Sequence, residues 1–155
     1  GEVDGGLGRD RVSVLETHLD DMPPEQLPFL LERLMEDGAL DAALSPLAMK
    51  KGRPGQLLRV IARPLDRERL ARRILLESSA LGVRFRDEAR LVLRREVRSV
   101  RTRYGSIRVK LAWGPDGRIS AAPEYEACAR AARRTGAPLK DVYRAAERVA
   151  LEQLA

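Results

Sequence analysis

The chain has 155 residues, a formal net charge of +6, 44% hydrophobic and 34% charged residues. That balance suits one domain, or one and a half, with a core large enough to need no staples, and it excludes a disordered chain. No apolar run reaches membrane-span length, and a single cysteine (Cys128) with a single histidine (His18) excludes an internal disulfide and a structural zinc site.

Residues 1–10 are Gly-rich and acidic, without the basic-then-apolar order of a signal peptide. They read as the remnant of a linker, so the chain is expected to be part of something longer, and the single cysteine gives a reducing cytoplasm as the expected setting. Residues 11–19 alternate, with Val12 and Val14 on one side and Leu15 and Leu19 on the other, which predicts a strand. Pro23-Pro24-Glu25 opens a helix whose apolar stripe is Leu27, Leu30, Leu31 and Leu34, with Gly38 as its stop. Residues 40–49 predict a second strand, at an edge or bulge because of Pro46, and residues 56–63 a third. Asp66 is placed to cap a second helix carrying Leu70, Ala71, Ile74 and Leu75, ending near Ser78-Ser79. Residues 83–95 predict a fourth strand.

The order is β-α-β-β-α-β over residues 11–95, which is the ferredoxin-like split pattern, an α+β fold with both helices on one sheet face. The uncovered face calls for a ligand or a second copy. Residues 96–155 form a further subdomain. Its parts are a hairpin of residues 98–104 and 107–113 around Gly105, a turn at Gly114-Pro115-Asp116-Gly117, and a short strand from Ile119. Two helices follow, opened by Pro123 and Pro138.

The cations are skewed: 25 Arg, only 4 Lys, and no Asn in the chain. Two of the lysines stand together in Met49-Lys50-Lys51-Gly52-Arg53-Pro54-Gly55, at a predicted hairpin tip. Compact ammonium groups suit point contact with phosphate, and the glycines let backbone approach a ligand. A solvated loop is the plainer reading of the same residues, and there is no Walker-type Gly-Lys-Ser/Thr loop. Glu16, His18 and Asp20 share one face of the first strand, an arrangement that can hold a divalent metal; the plainer reading is an acidic strand end next to a helix start. Ser78, Ser79, Gly82 and Arg84 offer phosphate contacts or a helix end with a basic strand start. Glu124 and Tyr125 sit in a helix first turn, where Tyr125 can stack on a base or cover the core.

The stretches Leu15-Glu16-Thr17-His18-Leu19-Asp20-Asp21-Met22, Met49 to Gly55, Leu81-Gly82-Val83-Arg84 and Ala122-Pro123-Glu124-Tyr125-Glu126 with Cys128 together resemble the C-terminal domain of the nickel insertase that completes the nickel-pincer nucleotide cofactor of lactate racemase. The resemblance implies a CTP-dependent cyclometallase. CTP is split to CMP and pyrophosphate with Mn2+ or Mg2+ as helper, and nickel is inserted into a pyridinium bisthiocarboxylate mononucleotide. It implies that this region binds metal-CTP while a separate N-terminal domain carries the nickel. His18 stands where Asn is expected in that family, which removes it from the required ligands.

On that basis Lys50 and Lys51 are the candidate catalytic cations. Lys50, Lys51, Arg53, Ser79, Arg84 and Tyr125 are the candidate nucleotide contacts, and Glu16, Asp20 and Glu124 the candidate metal ligands. A homo-oligomer is expected. The rival readings are a basic RNA-binding ferredoxin-like module and a pure oligomerisation module. RNA is disfavoured because aromatic content is 4% and the presumed central strands lack stacking aromatics.

Overall fold

Leu15, Leu19, Leu30, Leu34, Leu58, Val60, Leu70 and Ile74 are buried together and form the core of the first of two compact units, Asp10–Arg90. The computed structural model describes residues 3–4 and 7–154. Strand β1 (Val3–Asp4) pairs with the start of β2 (Leu7–Leu19). The described part of the predicted linker is therefore extended and paired, while residues 1–2 and 5–6 of it lie outside the described residues.

After β2 come a 3-10 turn at Pro24–Gln26 and helix α1 (Leu27–Glu36). Strands β3 (Asp41–Ala48) and β4 (Pro54–Ala62) and helix α2 (Arg67–Glu77) follow, and then β5 begins at Arg84. The strand order is β3-β4-β2-β5. β2 pairs antiparallel with β4, and β4 with β3, with Glu16 opposite Arg59 and Leu15 opposite Val60. On the other flank of β2, Asp10 meets Arg90, Ser13 meets Asp87 and Glu16 meets Arg84, a descending pairing that makes β5 antiparallel as well.

Period-two alternation sends Leu15 and Leu19 toward the helices, and Glu16 and His18 to the opposite face. Burial of each such leucine contributes about 1.5–3 kcal/mol. The opposite face is open only in part, since Val12 and Val14 are also buried. Pro46 lies in β3, the edge strand, where its missing N–H costs no ladder bond. Gly38 ends α1 with φ +96°, a conformation that favours glycine.

Asp66 occupies the residue before α2 but does not cap it. Its carboxylate instead accepts from Arg63 Nε at 2.7 Å and from Arg69 Nη2 at 2.8 Å. Two guanidiniums within three residues outcompete the helix N–H groups for the same oxygens.

The second unit comprises Gly1–Arg9 and Leu91–Ala155. The predicted break between a fourth strand and a hairpin arm does not occur: β5 runs without interruption over Arg84–Thr102. Residues 83–104 contain only Gly-free, Pro-free sequence, so nothing stops the strand before Gly105, whose φ is +103°. The unit boundary falls at 90/91, inside that strand. β5 pairs with β6 (Gly105–Trp113), and β6 with β7 (Ile119–Pro123).

Pro123 does not open a helix; it closes β7 opposite Val109, and helix α3 (Tyr125–Thr135) begins two residues later. Helix α4 (Leu139–Glu152) follows Pro138 as the pattern predicts. Ala127, Cys128 and Ala131 of α3 and Val142, Ala146 and Ala150 of α4 bury against Ile107, Val109 and Leu111. Across both units the fold is mixed α/β, with antiparallel strand pairing and four α-helices. No helix among the described residues is long and apolar enough to cross a membrane.

Candidate functional site

The β3–β4 connection is a tight turn. Met49 N–H donates to the Arg53 carbonyl at 2.7 Å across a 3-10 turn at Lys50–Gly52. Lys51 adopts φ 62°, ψ 22°, and is the one non-glycine residue with positive φ among the described residues. Left-handed backbone is uncommon for a residue with a Cβ. Gly55 is needed for a second reason: a Cβ there would meet the Met49 side chain and come within 3.1 Å of the Leu19 carbonyl. The turn thus folds back against the end of β2, with the side chains of Lys50, Lys51 and Arg53 exposed.

Two hollows lie beside this turn. One, of about 450 Å³, is lined by His18, Leu47, Ala48, Met49 and Lys50. The other, of about 320 Å³, is lined by Leu19, Asp20, Met22 and Pro24 together with Pro54, Gly55 and Gln56. The acidic end of β2 and the lysine-bearing turn therefore stand side by side within one unit.

Glu16 has a different setting from the one its spacing suggested. It is buried, and Arg59 Nε donates to its Oε1 at 2.9 Å, Arg84 Nη2 to its Oε2 at 3.2 Å, and Arg86 Nη2 to its Oε1 at 3.4 Å. The Arg59 hydrogen bond, followed by that from Arg86, holds its carboxyl below the ordinary glutamate range despite burial. Arg84 Nη2 also lies 3.4 Å from His18 Nε2.

Asp20 is exposed at the end of β2, and Ser79 is exposed beyond α2. Ser78, not Ser79, makes the local bonds, donating to the Ile74 carbonyl at 2.6 Å and accepting from Ala80 N–H at 3.2 Å. Thr17 Oγ1 donates to the Gly82 carbonyl at 2.8 Å and ties the start of β5 to β2.

Glu124 and Tyr125 belong to the other unit. Glu124 precedes α3, 3.6 Å from Arg108 Nε, and Tyr125 is 56% exposed. Among the described residues, no three His, Cys, Asp or Glu side chains are grouped to hold a metal ion. Glu16 in particular does not fit as a metal ligand, because both its oxygens are committed to guanidinium groups.

Sequence reasoning missed Arg59 and Arg86. The signal was alternation: Leu58, Val60 and Ala62 face the core, so Arg59 faces away from it, and Arg84, Arg86, Glu88 and Arg90 repeat with period two. Residues 91–155 carry 14 Lys and Arg against 7 Asp and Glu, whereas residues 10–90 carry 14 of each. Arg130 and Arg134 line one surface hollow of the second unit, and Arg103, Arg144 and Arg148 another.

The chain is a mixed α/β protein with antiparallel strands, a cationic turn between β3 and β4 and a carboxylate ringed by arginines on β2. Comparison with known proteins narrows that class. The family model described as "Nickel insertion protein" matches residues 2–143, and the chain belongs to that family. It is 51% identical over 152 residues to a protein of Geobacter metallireducens and 51% identical over 148 residues to one of Geobacter sulfurreducens, both provisionally named nickel insertion proteins. These alignments cover 98% and 96% of this chain but 39% and 38% of the relatives, so the chain spans under two fifths of their length.

Among solved structures it is similar to LarC2, the C-terminal domain of a cyclometallase involved in the synthesis of the NPN cofactor of lactate racemase, in its apo form. The TM-score is 0.81 at 34% identity, covering 92% of this chain and 99% of that one. A protein of Methanopyrus kandleri AV19 matches with a TM-score of 0.66 at 27% identity, covering 93% of this chain and 89% of the other.

Proposed function

We propose that this chain is the CTP-binding region of a nickel insertase that completes the nickel-pincer nucleotide cofactor, with CTP split to CMP and pyrophosphate. The observation that carries the reading is the likeness to the cyclometallase C-terminal domain at a TM-score of 0.81 over nearly the whole of both chains. The convergence of Lys50 with His18, and of Gly55 with Asp20, supports a site at that end of the sheet.

Lys50, Lys51 and Arg53 meet the triphosphate, and Arg84 meets it from the start of β5. Lys50 and Lys51 are the cations placed to offset charge at the phosphate that is cleaved. Ser79, in the same unit as the turn, and Tyr125, in the other, are both exposed and are further candidate contacts of the nucleotide. Asp20 is the carboxylate left open to a divalent ion such as Mn2+ or Mg2+; Glu16 is not, and Glu124 is already beside Arg108. Nickel is a substrate of the whole protein and is held mainly by a separate N-terminal domain. The pyridinium bisthiocarboxylate mononucleotide is the acceptor.

The order β3-β4-β2-β5 places the second, third, first and fourth strands of residues 10–90 side by side, and this supports a ferredoxin-like reading of that unit, with the hairpin and helical subdomain starting at Leu91 inside β5 rather than at residue 96. Exposed Leu91, Leu93 and Val97 support a homo-oligomer, and the lone cysteine supports a cytoplasmic setting.

A thermal-shift panel of four nucleoside triphosphates, each with and without Mn2+, tests the reading. CTP with Mn2+ raises the melting temperature more than the other three; a panel in which no nucleotide shifts it refutes CTP binding. The positive charge concentrated in residues 91–155 favours one rival, RNA binding by that unit. Steeply salt-dependent binding of single-stranded RNA by the same chain is the result that would establish it.

A further inference from the structure

Glu16 lies on the central strand β2 with 9% of its side chain exposed, and three guanidinium groups converge on it. A structural ion pair needs one partner. Three like charges gathered on one carboxylate repel each other, and the buried anion is the carboxylate they share. Arg86 is shared with Glu88, whose Oε1 accepts from its Nε at 2.5 Å.

Arg59 and Arg84 are the other two. Their side chains are 52% and 56% exposed, and Nη1 and Nη2 of Arg59 and Nε and Nη1 of Arg84 have no protein acceptor among the described residues. Their strands flank β2, about 10 Å apart, and both lean onto the same carboxylate. Through His18, which neighbours Arg84 and shares a hollow with Lys50, they are continuous with the cationic turn.

We propose that Glu16 is a positioning residue that locks Arg59 and Arg84 into a paired receptor for phosphate groups on the face of the sheet away from the helices. The identity of the ligand as the polyphosphate of a nucleotide rests on the CTP reading; the receptor itself does not. Planar guanidinium forks bind phosphate oxygens in pairs when their orientation is fixed beforehand. Removing a negative charge beside an anion site ordinarily tightens binding, yet here Glu16→Gln loosens it, because the arginines disperse.

Isothermal titration of inorganic tripolyphosphate into the 155-residue chain, with CTP plus Mn2+ as a second arm, tests this. Arg59→Gln and Arg84→Gln each weaken tripolyphosphate binding about tenfold, and Glu16→Gln weakens it to a similar degree. Glu16→Asp, which keeps the charge, retains more affinity than Glu16→Gln. Affinity in folded Glu16→Gln equal to or above wild type overturns the proposal, as does wild type that does not bind tripolyphosphate. Where circular dichroism shows Glu16→Gln to be unfolded, the two exposed arginine variants decide, and unchanged affinity in both overturns it. Tripolyphosphate binding with these losses, but no CTP binding, refutes the nucleotide reading and leaves the receptor standing. CTP binding untouched by all of these variants does the reverse.

Discussion

Lys51 holds a left-handed backbone at φ 62°, ψ 22°, in the turn that carries the candidate phosphate contacts. A residue with a Cβ loses about 1–2 kcal/mol in that conformation. Lys51→Gly removes this strain, and the greater freedom of glycine in the unfolded chain offsets about 0.4–1 kcal/mol of the gain. No carbon atom stands in the way, since the Lys51 side chain is exposed and its neighbour Gly52 is open to solvent. The net expectation is a chain stabilised by about 0.5–1 kcal/mol, a rise in melting temperature of about 2 °C for a protein of this length. The same variant loses an ammonium group at the site, so CTP affinity falls while stability rises. Urea unfolding followed by circular dichroism measures the first quantity and calorimetric titration of CTP with Mn2+ the second. Opposite signs are the mark of strain retained for function. A Lys51→Gly chain that is less stable than wild type, or that binds CTP as tightly, refutes the reasoning.

Leu58 is fully buried on β4, and Leu58→Ala should lower unfolding free energy by about 2–5 kcal/mol, read as a lower urea midpoint at unchanged slope. Glu16, Asp37, Asp66 and Asp87 all have carboxyls held below their ordinary values, with an arginine or serine hydrogen bond as the leading cause in each. A depressed carboxyl contributes stability that is complete above its unfolded value and is lost as pH falls through its folded value. Stability should therefore be flat from neutral pH down to about the ordinary glutamate value of 4.5 and fall below it. Asp66→Asn should lower stability at neutral pH and make the acid limb shallower, measured as melting temperature against pH; an acid limb identical to wild type would count against the Arg63–Asp66–Arg69 cluster.

Much of the first unit was legible in the sequence because its local signals agree. The leucines of α1 recur at helical spacing, Gly38 stops that helix, and Pro46 marks an edge strand. The strand β5 was not legible as one piece. A long strand rich in charge looks like two shorter ones when no turn residue dictates where it ends, and the true stop is Gly105. Pro123 misleads for a related reason: proline suits both a helix first turn and the last position of an edge strand, and only pairing with Val109 decides between them.

The site was legible as a pair of neighbourhoods, the end of β2 and the β3–β4 turn, because each is local in sequence. The role of Glu16 was not. Its partners lie 43, 68 and 70 residues away and reach it only through strand register. Glu16 and Asp20, four residues apart with His18 between them on one strand face, suggest a metal face, and nothing local reveals that three arginines reach Glu16 first.

The central claim is that the lysine-bearing turn receives the triphosphate of CTP. Calorimetric titration of CTP with Mn2+ into wild type and into Lys50→Ala/Lys51→Ala tests it most directly, with circular dichroism as the control for folding. The account predicts saturable binding by wild type and none by the double variant, whose turn lies on the surface and whose fold is retained. Equal affinities in the two chains would contradict it.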